Sequence, residues 1–442
     1  MHPVVRFSYA LAGHLARGAA AITPASRGKV LASLHARRGI RARYAAWRGR
    51  DPTRPLLWVH APSVGEGLQA QPVIARLRER HPELQLAYTF YSPSAAAFAR
   101  ASGADFADYL PFDTADDADA ALDALRPTAL VFGKLDVWPL LVARAAARSV
   151  PVGLIAATFS SGSGRASRPA ALLLGDAYRL LNSVGAIDER DAARLAALGV
   201  ARDRLTVTGD PRYDQAWSRA QATNPQGERV NKLRRARFTL VAGSTWPSDE
   251  TPLLEAWLAV RARTVGARLV IAPHEPSAGH LSAIERWARR AQITIARFGT
   301  PAEADADVLL VDRVGVLGDL YAAASAAYVG GAFHAAGLHS VLEPAAFGAP
   351  VLFGPRHLAS RDAQLLLASG GGFAADSAQK LSMRILALSS EPAACAAAGN
   401  RARTVVRMGL GAADRSADLV ESLLARAADG AAATARRRAA TS

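Results

Sequence analysis

The chain has 442 residues, of which half are hydrophobic and 21% are charged. This length is too great for one ordinary core and fits two domains of roughly 200 residues each, while the composition excludes a chain that is disordered as a whole. The single cysteine, Cys395, excludes a disulfide within one chain and indicates a reducing compartment. Because its neighbours are mostly alanines and no histidine is near, we expect Cys395 to be a buried apolar residue and not a nucleophile.

The net charge of +15 is concentrated in the first part of the chain. Residues 1–50 contain ten of the Lys and Arg residues and no Asp or Glu. Such a block contacts an anionic membrane or nucleic acid, or forms a solvated basic arm. Nucleic-acid binding would favour basic residues interleaved with aromatic ones on the folded domains. Because ten of the fifteen net positive charges lie in this one segment, the sequence favours a membrane surface and argues against nucleic acid.

Residues 4–22 have the pattern of an amphipathic helix. Val4, Phe7, Leu11 and Leu15 recur at helical spacing, but two arginines and a histidine interrupt the apolar run. The segment is therefore a poor membrane-spanning helix and lacks the apolar core and cleavage site of a signal peptide. A helix lying on the membrane, followed by polybasic sequence, fits better. We assign residues 1–50 to this basic, membrane-associating segment.

From residue 51 onward, short apolar runs alternate with helical stretches, which is typical of a doubly wound α/β fold. The predicted strands are 56–60, 84–90, 129–133, 150–158, 184–187 and 205–208 in a first domain (51–218), and 238–242, 268–272, 308–311, 326–329 and 350–353 in a second (219–426). Helices are predicted at 69–80 and 140–148. A polar, turn-rich stretch around 224–227 marks the linker. Residues 427–442 are predicted to be a disordered tail, and ligands should bind in a cleft between the two domains.

Several common catalytic signatures are missing from the chain. There is no Walker A sequence, no complete Gly-x-Gly-x-x-Gly after a strand, no His-Glu-x-x-His and no Gly-x-Ser-x-Gly. No cysteine pair or regular His/Asp pattern indicates a metal site. This argues against an NTPase, a dehydrogenase, a zinc hydrolase or a serine esterase. It leaves chemistry that needs a carboxylate, some cations and a nucleotide pocket.

Glu66 is the strongest candidate for a general base. It follows the predicted strand 56–60 and precedes the predicted helix at 69, so the helix dipole favours its ionised form. A carboxylate in that position can accept a proton from an acceptor hydroxyl. A glutamate that merely caps the helix would have the same spacing, and the spacing alone does not separate these two roles.

Two further charged sites follow strands of the first domain. Lys134 and Asp136 come directly after the strand 129–133, where they form either a functional site or an ordinary lysine–aspartate pair at a helix start. Arg212 follows a strand and a turn close to the linker. A guanidinium there could pair with a phosphate or carboxylate of a donor, or lie on the surface.

The second domain offers features that suit a nucleotide. Gly243, Ser244 and Thr245 follow a strand and can present backbone amides to an anion. Pro273 and His274 end another strand. Further along, a glycine pair precedes the stretch that ends at Glu343, which could accept both hydroxyls of a ribose or act as a helix cap.

The candidate sites described above occur together and in this order across about residues 56–360. In this respect the chain resembles the 3-deoxy-D-manno-octulosonic acid (Kdo) transferases. The Ser-Val-Gly-Glu motif ending at Glu66 is the sharpest match. The resemblance implies a GT-B glycosyltransferase fold with two Rossmann-like domains around a cleft. It implies that Glu66 is the proton acceptor, that Asp136 stabilises the transition state, and that Arg212 takes the place of the family's lysine. The positions that match the family's CMP contacts are Pro273, His274, Val314, Gly315, Val316, Ser340, Val341, Leu342 and Glu343.

The resemblance also implies a reaction and a location. CMP-Kdo would be the donor, the 6-hydroxyl of a lipid A precursor the acceptor, and the anomeric configuration would invert. No metal or other cofactor is expected, because CMP is already a good leaving group. The protein would work at the cytoplasmic face of the inner membrane, as a peripheral or monotopic protein on an anionic surface.

Three departures from the family pattern leave alternatives open. Lys134-Leu135-Asp136 replaces a usual Glu-Thr-Glu, Leu338-His339-Ser340 replaces Gly-His-Asn, and the lysine has become Arg212. The alternatives are a GT-B glycosyltransferase with another sugar nucleotide or lipid acceptor, and a non-catalytic basic protein that binds membranes. A sugar-nucleotide epimerase of the same fold is disfavoured because its chemistry needs no membrane helix.

Overall fold

The computed structural model describes residues 3–24, 28–159, 168–224, 226–234 and 237–441. The chain divides into two compact units, which are described separately below. The first unit comprises residues 1–215 and 410–442, and the second comprises residues 216–409.

The first unit contains a seven-stranded parallel sheet. Its strands are β1 (Leu56–His60), β2 (Gln85–Phe90), β3 (Phe106–Tyr109), β4 (Ala129–Gly133), β5 (Val152–Ala157), β6 (Ser183–Ala186) and β7 (Leu205–Val207). Their order across the sheet is β3-β2-β1-β4-β5-β6-β7. The direction of the order reverses between β1 and β4, which is where open α/β sheets bind ligands.

Strands β1 and β4 are buried along their whole length, so both faces of the sheet are covered. Successive residues of β1 point to opposite faces: Leu56 and Trp58 join one apolar cluster, and Leu57 and Val59 join the other. This explains why β1 is a continuous apolar run instead of an alternating one.

The helices begin where the sequence supplies capping side chains. Thr114 and Asp188 each accept a hydrogen bond from a backbone amide three residues ahead, as N-caps do. The helices up to the end of the first unit are α1 (Pro3–Ile22), α2 (Lys29–Ala36), α3 (Ile40–Ala46), α4 (Val64–Arg80), α5 (Ala96–Ala101), α6 (Ala115–Leu125), α7 (Pro139–Ala147), α8 (Arg168–Leu180) and α9 (Glu189–Ala197), and α10 (Arg212–Ala222) crosses into the second unit.

The second unit repeats this architecture. Its parallel strands are β8 (Phe238–Thr245), β9 (Ala267–Pro273), β10 (Ile295–Arg297), β11 (Val308–Leu310), β12 (Ala326–Val329), β13 (Val351–Phe353) and β14 (Gly372–Ala374). They lie in the order β10-β11-β9-β8-β12-β13-β14, so the direction reverses between β8 and β12. The helices are α11 (Glu228–Arg234), α12 (Pro247–Arg263), α13 (Ala278–Arg290), α14 (Leu317–Leu320), α15 (Leu342–Ala346), α16 (Arg361–Ser369), α17 (Ala378–Ser390) and α18 (Pro392–Met408).

The last helix, α19 (Ala412–Thr441), belongs to the first unit. Ala417, Val420 and Leu423 are buried in the same apolar cluster as Leu57 and Val59. The predicted limits of the second domain, 219–426, are therefore wrong at the C-terminal end. The predicted disordered tail, 427–442, is helical as far as Thr441. The sequence of an amphipathic helix does not show which of the two domains it packs against, so the helix was assigned to the domain that precedes it.

Other limits differ in smaller ways. The linker predicted around 224–227 lies between α10 and α11, whereas the boundary between the units falls within α10. Each predicted strand corresponds to an observed one, and Cys395 is buried, as expected, with its thiol donating to the carbonyl of Ser325.

The N-terminal segment is a folded part of the first unit. The Tyr9 hydroxyl donates to Asp113 at 2.9 Å, the backbone at Gly13 lies against Thr114, and Ala20 is buried. Many of the arginines are held by the body of the unit; Arg43, for example, is paired with Asp108. The segment is therefore packed on the first unit and is not a solvated basic arm. None of the described helices has both the length and the apolar character that crossing a membrane requires.

Candidate active site

The strand order of the first sheet brings the two predicted acidic sites together. His60, the last residue of β1, pairs with Phe132 of β4, so the turns that follow these strands are neighbours. Glu66 follows β1, and Lys134 and Asp136 follow β4. The site therefore lies at the carboxyl ends of the two strands that flank the reversal of strand order.

Glu66 lies within the first turn of α4 and not before it. The helix begins at Val64, whereas the sequence predicted a start at residue 69. At this position a glutamate could cap the helix, but its carboxylate instead accepts a hydrogen bond from the Ser63 hydroxyl and one from Lys134 Nζ at 3.2 Å. The Ser63 side chain makes no capping bond either. The side chain of Glu66 is 17% exposed, so its carboxylate is partly open to a ligand.

Lys134 approaches Glu66 from a strained backbone conformation. Its φ of +61° lies in the left-handed region, which costs free energy for a residue other than glycine. Its amide donates to the carbonyl of Ile155 at 2.9 Å, which fixes the turn. The predicted alternative, a lysine–aspartate pair with Asp136, is wrong, because the ion pair of Lys134 is with Glu66.

Residue 67 must be glycine because two side chains lie close to its backbone. A Cβ atom at this position would lie 2.6 Å from the Tyr88 hydroxyl and 2.5 Å from the ring of Phe98. The Tyr88 hydroxyl is buried and has no hydrogen-bond partner among the described residues. Burial, and then the charge of Glu66, raise the pKa of Tyr88 above its ordinary value. A neutral phenol thus lies beneath the turn that carries the candidate base.

Asp136 is held by a separate polar network. Its Oδ2 accepts hydrogen bonds from His60 Nε2 and from the indole N–H of Trp138, both at 3.1 Å. The other ring nitrogen of His60 lies 3.1 Å from the Thr89 hydroxyl, which also accepts from the indole of Trp58 at 2.9 Å. Because His60 is fully buried, it orients Asp136 from within the sheet.

Arg212 is the first residue of α10 and is tied to Asp210. Its guanidinium donates to the buried carboxylate of Asp210 at 2.6 and 2.9 Å, and its amide donates to the same group. About one third of the Arg212 side chain is exposed. The position therefore carries an oriented cation whose charge is partly balanced within the turn.

In the second unit, the turn after β8 is fixed against the turn after β12. Asp249 accepts from the amides of Trp246, Gly331 and Phe333 and from the Tyr328 hydroxyl, at 2.8–3.1 Å. A Cβ atom on Gly330 would lie 2.3 Å from the carbonyl oxygen of Ser244, so this approach requires glycine. Asp249 is fully buried, and its hydrogen bonds hold the two loops at the reversal of strand order in the second sheet.

Gly243, Ser244 and Thr245 are the last residues of β8, which is longer than predicted. The carbonyls of Gly243 and Thr245 accept from the amides of Gly330 and His274, each at 2.9 Å. The buried hydroxyl of Thr245 donates to Glu250 at 2.7 Å. The side chain of Thr245 is thus occupied within the protein, and only Ser244 of the three is partly exposed.

Four rings stack beside these loops. Trp246 lies parallel to His334 with 4.1 Å between ring centroids, and His274 lies 4.9 Å from Trp246 and 4.4 Å from His339. The indole N–H of Trp246 donates to His339 Nε2 at 3.1 Å, so that nitrogen acts as an acceptor. Burial, followed by the charge of His274, lowers the pKa of His339 to about 4. His339 is therefore neutral near pH 7, and the stack offers flat surfaces suited to an aromatic base.

Glu343 lies in the first turn of α15, next to the buried Tyr321. Burial raises the pKa of Glu343; Arg219 opposes this effect and Asp319 adds to it. Arg219 also donates to the carbonyl of Gly315 at 3.3 Å. Arg219 thus contacts Gly315 in the loop before α14 and acts electrostatically on Glu343 at the start of α15.

The remaining predicted nucleotide contacts differ in exposure. Val314 and Ser340 are exposed, Gly315 has a left-handed φ of +90°, and Val341 and Leu342 are buried. Pro273 is the last residue of β9 and is followed directly by His274. Within the described ranges, no three or more His, Cys, Asp or Glu residues are grouped so that they could hold a metal ion.

The sequence did not identify several residues of these sites. His60 ends the predicted strand 56–60 and was given no role, although a histidine at the end of an apolar strand could have indicated a buried polar network. Trp246 and His334 carried no signal that separates them from ordinary loop residues. Asp249 was not singled out from the sequence, because its role depends on contacts with residues about eighty positions away.

We predict that Gly67→Ala destabilises the first unit and that Gly65→Ala does not. Both changes favour the helix, but the new Cβ at residue 67 meets Tyr88 and Phe98, whereas at residue 65 the nearest atom is 3.7 Å away. Overpacking of this kind costs about 1–3 kcal/mol. Chemical denaturation of the two variants measures the difference. Equal stabilities would show that Tyr88 and Phe98 do not confine residue 67.

We also predict that His339 makes the second unit less stable in acid. The folded protein protonates this ring near pH 4 and an unfolded histidine near 6.5, so acidification across that window favours the unfolded state. The loss is at most about 1.4 kcal/mol per pH unit. Unfolding free energies should fall more steeply for the wild type than for His339→Gln between pH 6.5 and 4. His14→Gln, which removes an exposed histidine of the first unit, should leave the wild-type slope unchanged.

The sequence comparisons agree with one another on one family. Residues 34–215 match the family model described as 3-deoxy-D-manno-octulosonic-acid transferase (kdotransferase). The chain is 31% identical over 398 residues to the 3-deoxy-D-manno-octulosonic acid transferase of Bordetella pertussis, which covers 86% of this chain and 90% of that protein. The enzyme of the same name from Haemophilus influenzae is 25% identical over 310 residues, covering 67% of this chain and 70% of its own.

Among solved structures, the UDP-GlcNAc 2-epimerase of Neisseria meningitidis bound to UDP-GlcNAc shares the fold. It aligns with a TM-score of 0.58 at 13% identity and covers 84% of this chain and 100% of its own. This likeness and the two parallel sheets confirm the predicted fold class, two doubly wound Rossmann-like domains. The extent and identity of the match to the Bordetella protein show that the chain belongs to the 3-deoxy-D-manno-octulosonic acid (Kdo) transferase family.

Proposed function

We propose that the protein is an inverting glycosyltransferase that moves Kdo from CMP-Kdo to the 6-hydroxyl of a lipid A precursor, in lipopolysaccharide biosynthesis. Family membership supports the donor sugar and the reaction class. The observation that carries the mechanism is the Glu66 carboxylate, which is partly exposed and is held by Ser63 and Lys134 at the reversal of strand order in the first sheet.

The proposed reaction is a single displacement at the anomeric carbon of Kdo. The acceptor oxygen attacks that carbon from the face opposite CMP while its proton passes to Glu66. The bond between the anomeric carbon and the phosphate oxygen breaks, and CMP leaves with the electron pair. Attack on the opposite face inverts the configuration. Since CMP needs no further activation, we expect the reaction to be insensitive to EDTA.

Charged groups near the base support this mechanism. The Lys134 ammonium lies 3.2 Å from the Glu66 carboxylate and orients the group that is proposed to accept the proton. Asp136, oriented by His60 and Trp138, is proposed to stabilise charge that develops in the transition state. Arg212, which Asp210 holds in place, is proposed to take the role of the family's lysine as a fixed cation. Because both guanidinium and ammonium are positively charged, this departure preserves the electrostatic role.

The second unit supports the nucleotide side of the proposal. The stacked rings of Trp246 and His274 provide a surface for the cytosine base. Glu343 in the start of α15 is proposed to accept the ribose hydroxyls, together with the other matched positions in this unit. The departure at Leu338-His339-Ser340 keeps the histidine that belongs to the stack.

The reaction can be tested directly with the intact protein. CMP-Kdo, generated in the same mixture, and a lipid A precursor are incubated with the enzyme, and the lipid is analysed by mass spectrometry. A gain of one or more Kdo units is expected. If the lipid gains mass only with another sugar nucleotide, the donor assignment is wrong, and no gain with any lipid A acceptor refutes the acceptor class.

We predict that Glu66→Gln keeps CMP binding and lowers turnover by about 10²–10⁴-fold, the usual contribution of a general base. The amide keeps the shape of the side chain but cannot accept the proton. Glu79→Gln is the matched control, because Glu79 lies on the same helix with an exposed side chain paired only with Arg76 among the contacts described for it. Calorimetric binding of CMP and the rate of Kdo transfer measure the two properties. Turnover near the wild-type value in Glu66→Gln would rule out this role.

We further propose that the protein lies on the anionic, cytoplasmic face of the inner membrane through the outer face of α1. Leu11, Leu15 and Ile22 are spaced by four and seven residues and are 49%, 66% and 83% exposed. Tyr9, Gly13 and Ala20 have the same spacing, displaced by two residues, and face the body of the unit. A displacement of two residues places the two sets on opposite sides of a helix. The side chains of Val4 and Phe7 lie outside the described part of the segment.

We predict that Leu15→Glu weakens binding to anionic vesicles at least tenfold, since a buried leucine side chain contributes about 1.5–3 kcal/mol. Leu180→Glu is the control, because it makes the same change on α8 at another exposed leucine of the first unit. Co-sedimentation with vesicles measures both. Equal losses in the two variants would mean that only the added charge matters and that α1 is not the contact.

A further inference from the structure

A cavity of about 350 Å³ lies in the first unit beside the end of α1 and the turn between α2 and α3. Four arginines line it, and one acidic side chain, Asp117, lies among them. The arginines are Arg17, Arg37, Arg38 and Arg41. Neither the proposed base nor the nucleotide positions belong to this cavity.

Arg37 is a buried cation with incomplete hydrogen bonding. Only 3% of it is exposed, and its guanidinium lies 4.1 Å from the ring centre of Tyr91. Its Nε donates to the carbonyl of Leu110 at 2.8 Å, and its Nη1 donates to the carbonyl of Ser33 at 3.1 Å. Its Nη2 is buried and has no acceptor among the described residues. Burial lowers the pKa of this guanidinium, and the neighbouring Tyr91 opposes that effect.

Arg17 has a similar deficit. Its Nη1 is also buried without a hydrogen-bond acceptor in the described part of the chain, and the nearest carboxylate oxygens, on Asp117 and Asp116, are 3.7 and 3.8 Å away. Arg41 pairs with the same two carboxylates. Buried polar groups in native proteins normally have hydrogen-bond partners. Two guanidiniums with incomplete hydrogen bonding at one cavity therefore indicate an acceptor from outside the described part of the chain.

The charges around the cavity indicate how much negative charge that acceptor should carry. Four arginines line the cavity, and two of them, Arg17 and Arg41, pair with the carboxylates of Asp116 and Asp117, so two positive charges remain at the cavity. A phosphomonoester carries between one and a half and two negative charges near neutral pH and has three strong acceptor oxygens. Guanidinium groups match phosphate oxygens in pairs. A phosphodiester, with one charge, would leave the cavity positive.

We propose that this cavity is a binding site for a phosphomonoester group, in which Arg17 and Arg37 donate their unused N–H groups and Arg38 adds charge at the rim. The ligand is either the headgroup of a phosphorylated lipid or free phosphate. Val30 and Leu31 are exposed on α2, the helix that leads into the lining turn, which would suit a lipid-borne group. The inference rests on the arginines alone and does not require that the protein transfers Kdo.

The test uses the full chain and two matched variants. Arg38→Gln removes an exposed arginine from the cavity, and Arg48→Gln removes an exposed arginine of the same segment that lies outside it. Isothermal titration with inorganic phosphate, at ionic strength held constant with chloride, measures the site directly. Vesicles of phosphatidic acid and of phosphatidylglycerol, matched in surface charge, compare a phosphomonoester with a phosphodiester headgroup.

We expect phosphate to bind with one equivalent, and Arg38→Gln to weaken it about tenfold, as the loss of a charge-assisted contact should, while Arg48→Gln weakens it about twofold or less. A preference for phosphatidic acid vesicles that inorganic phosphate abolishes would assign the ligand to a lipid headgroup. Phosphate binding without that preference would keep the site and assign a soluble ligand. The absence of phosphate binding, or equal losses in the two variants, would overturn the proposal. Arg38→Lys, which keeps the charge, should restore most of the affinity and distinguishes a lost contact from misfolding.

Discussion

The pairing of β1 with β4 is the constraint on which the first site depends. These strands are neighbours in space although about seventy residues separate them, and they run parallel, so their carboxyl ends coincide. The order of the strands along the chain reverses here, and the helices that follow the two strands, α4 and α7, pack on opposite faces of the sheet. One turn carries Glu66 and the other carries Lys134 and Asp136. The meeting of these groups is therefore a property of the strand order and not of any local sequence.

The carboxylates of Glu66 and Asp136 follow neighbouring strands but have different surroundings. Glu66 has a hydroxyl and an ammonium as partners and stays partly exposed. Asp136 accepts from an imidazole and an indole, and the imidazole is anchored by the Thr89 hydroxyl inside the sheet. The side chain of Lys134 is 40% exposed, so the partner of Glu66 lies at the surface of the unit. A fixed network of rings suits a group whose orientation must not change during the reaction.

Much of the fold could be predicted because strands buried on both faces are continuous apolar runs, as 56–60 and 129–133 are. The strands that prediction omitted, β3, β10 and β14, are all at the edges of their sheets and only partly buried, so their apolar pattern is weak. Glu66 could be found from its motif, but the start of its helix could not. The glycines around it resembled a turn, whereas Gly67 is required by Tyr88, which lies on another strand. The partner of Lys134 was likewise fixed by strand order, which no local pattern records.

The return of α19 to the first unit has a consequence for how the molecule forms. The second unit is one uninterrupted stretch, residues 216–409, and has every segment it needs before synthesis ends. The first unit does not, because Ala417, Val420 and Leu423 complete the apolar cluster on one face of its sheet. On the ribosome, that face is covered only in part, by α4, until α19 has emerged from the exit tunnel. The second domain can thus mature as an insertion within an unfinished host, and the domain that carries the candidate base is the last to close.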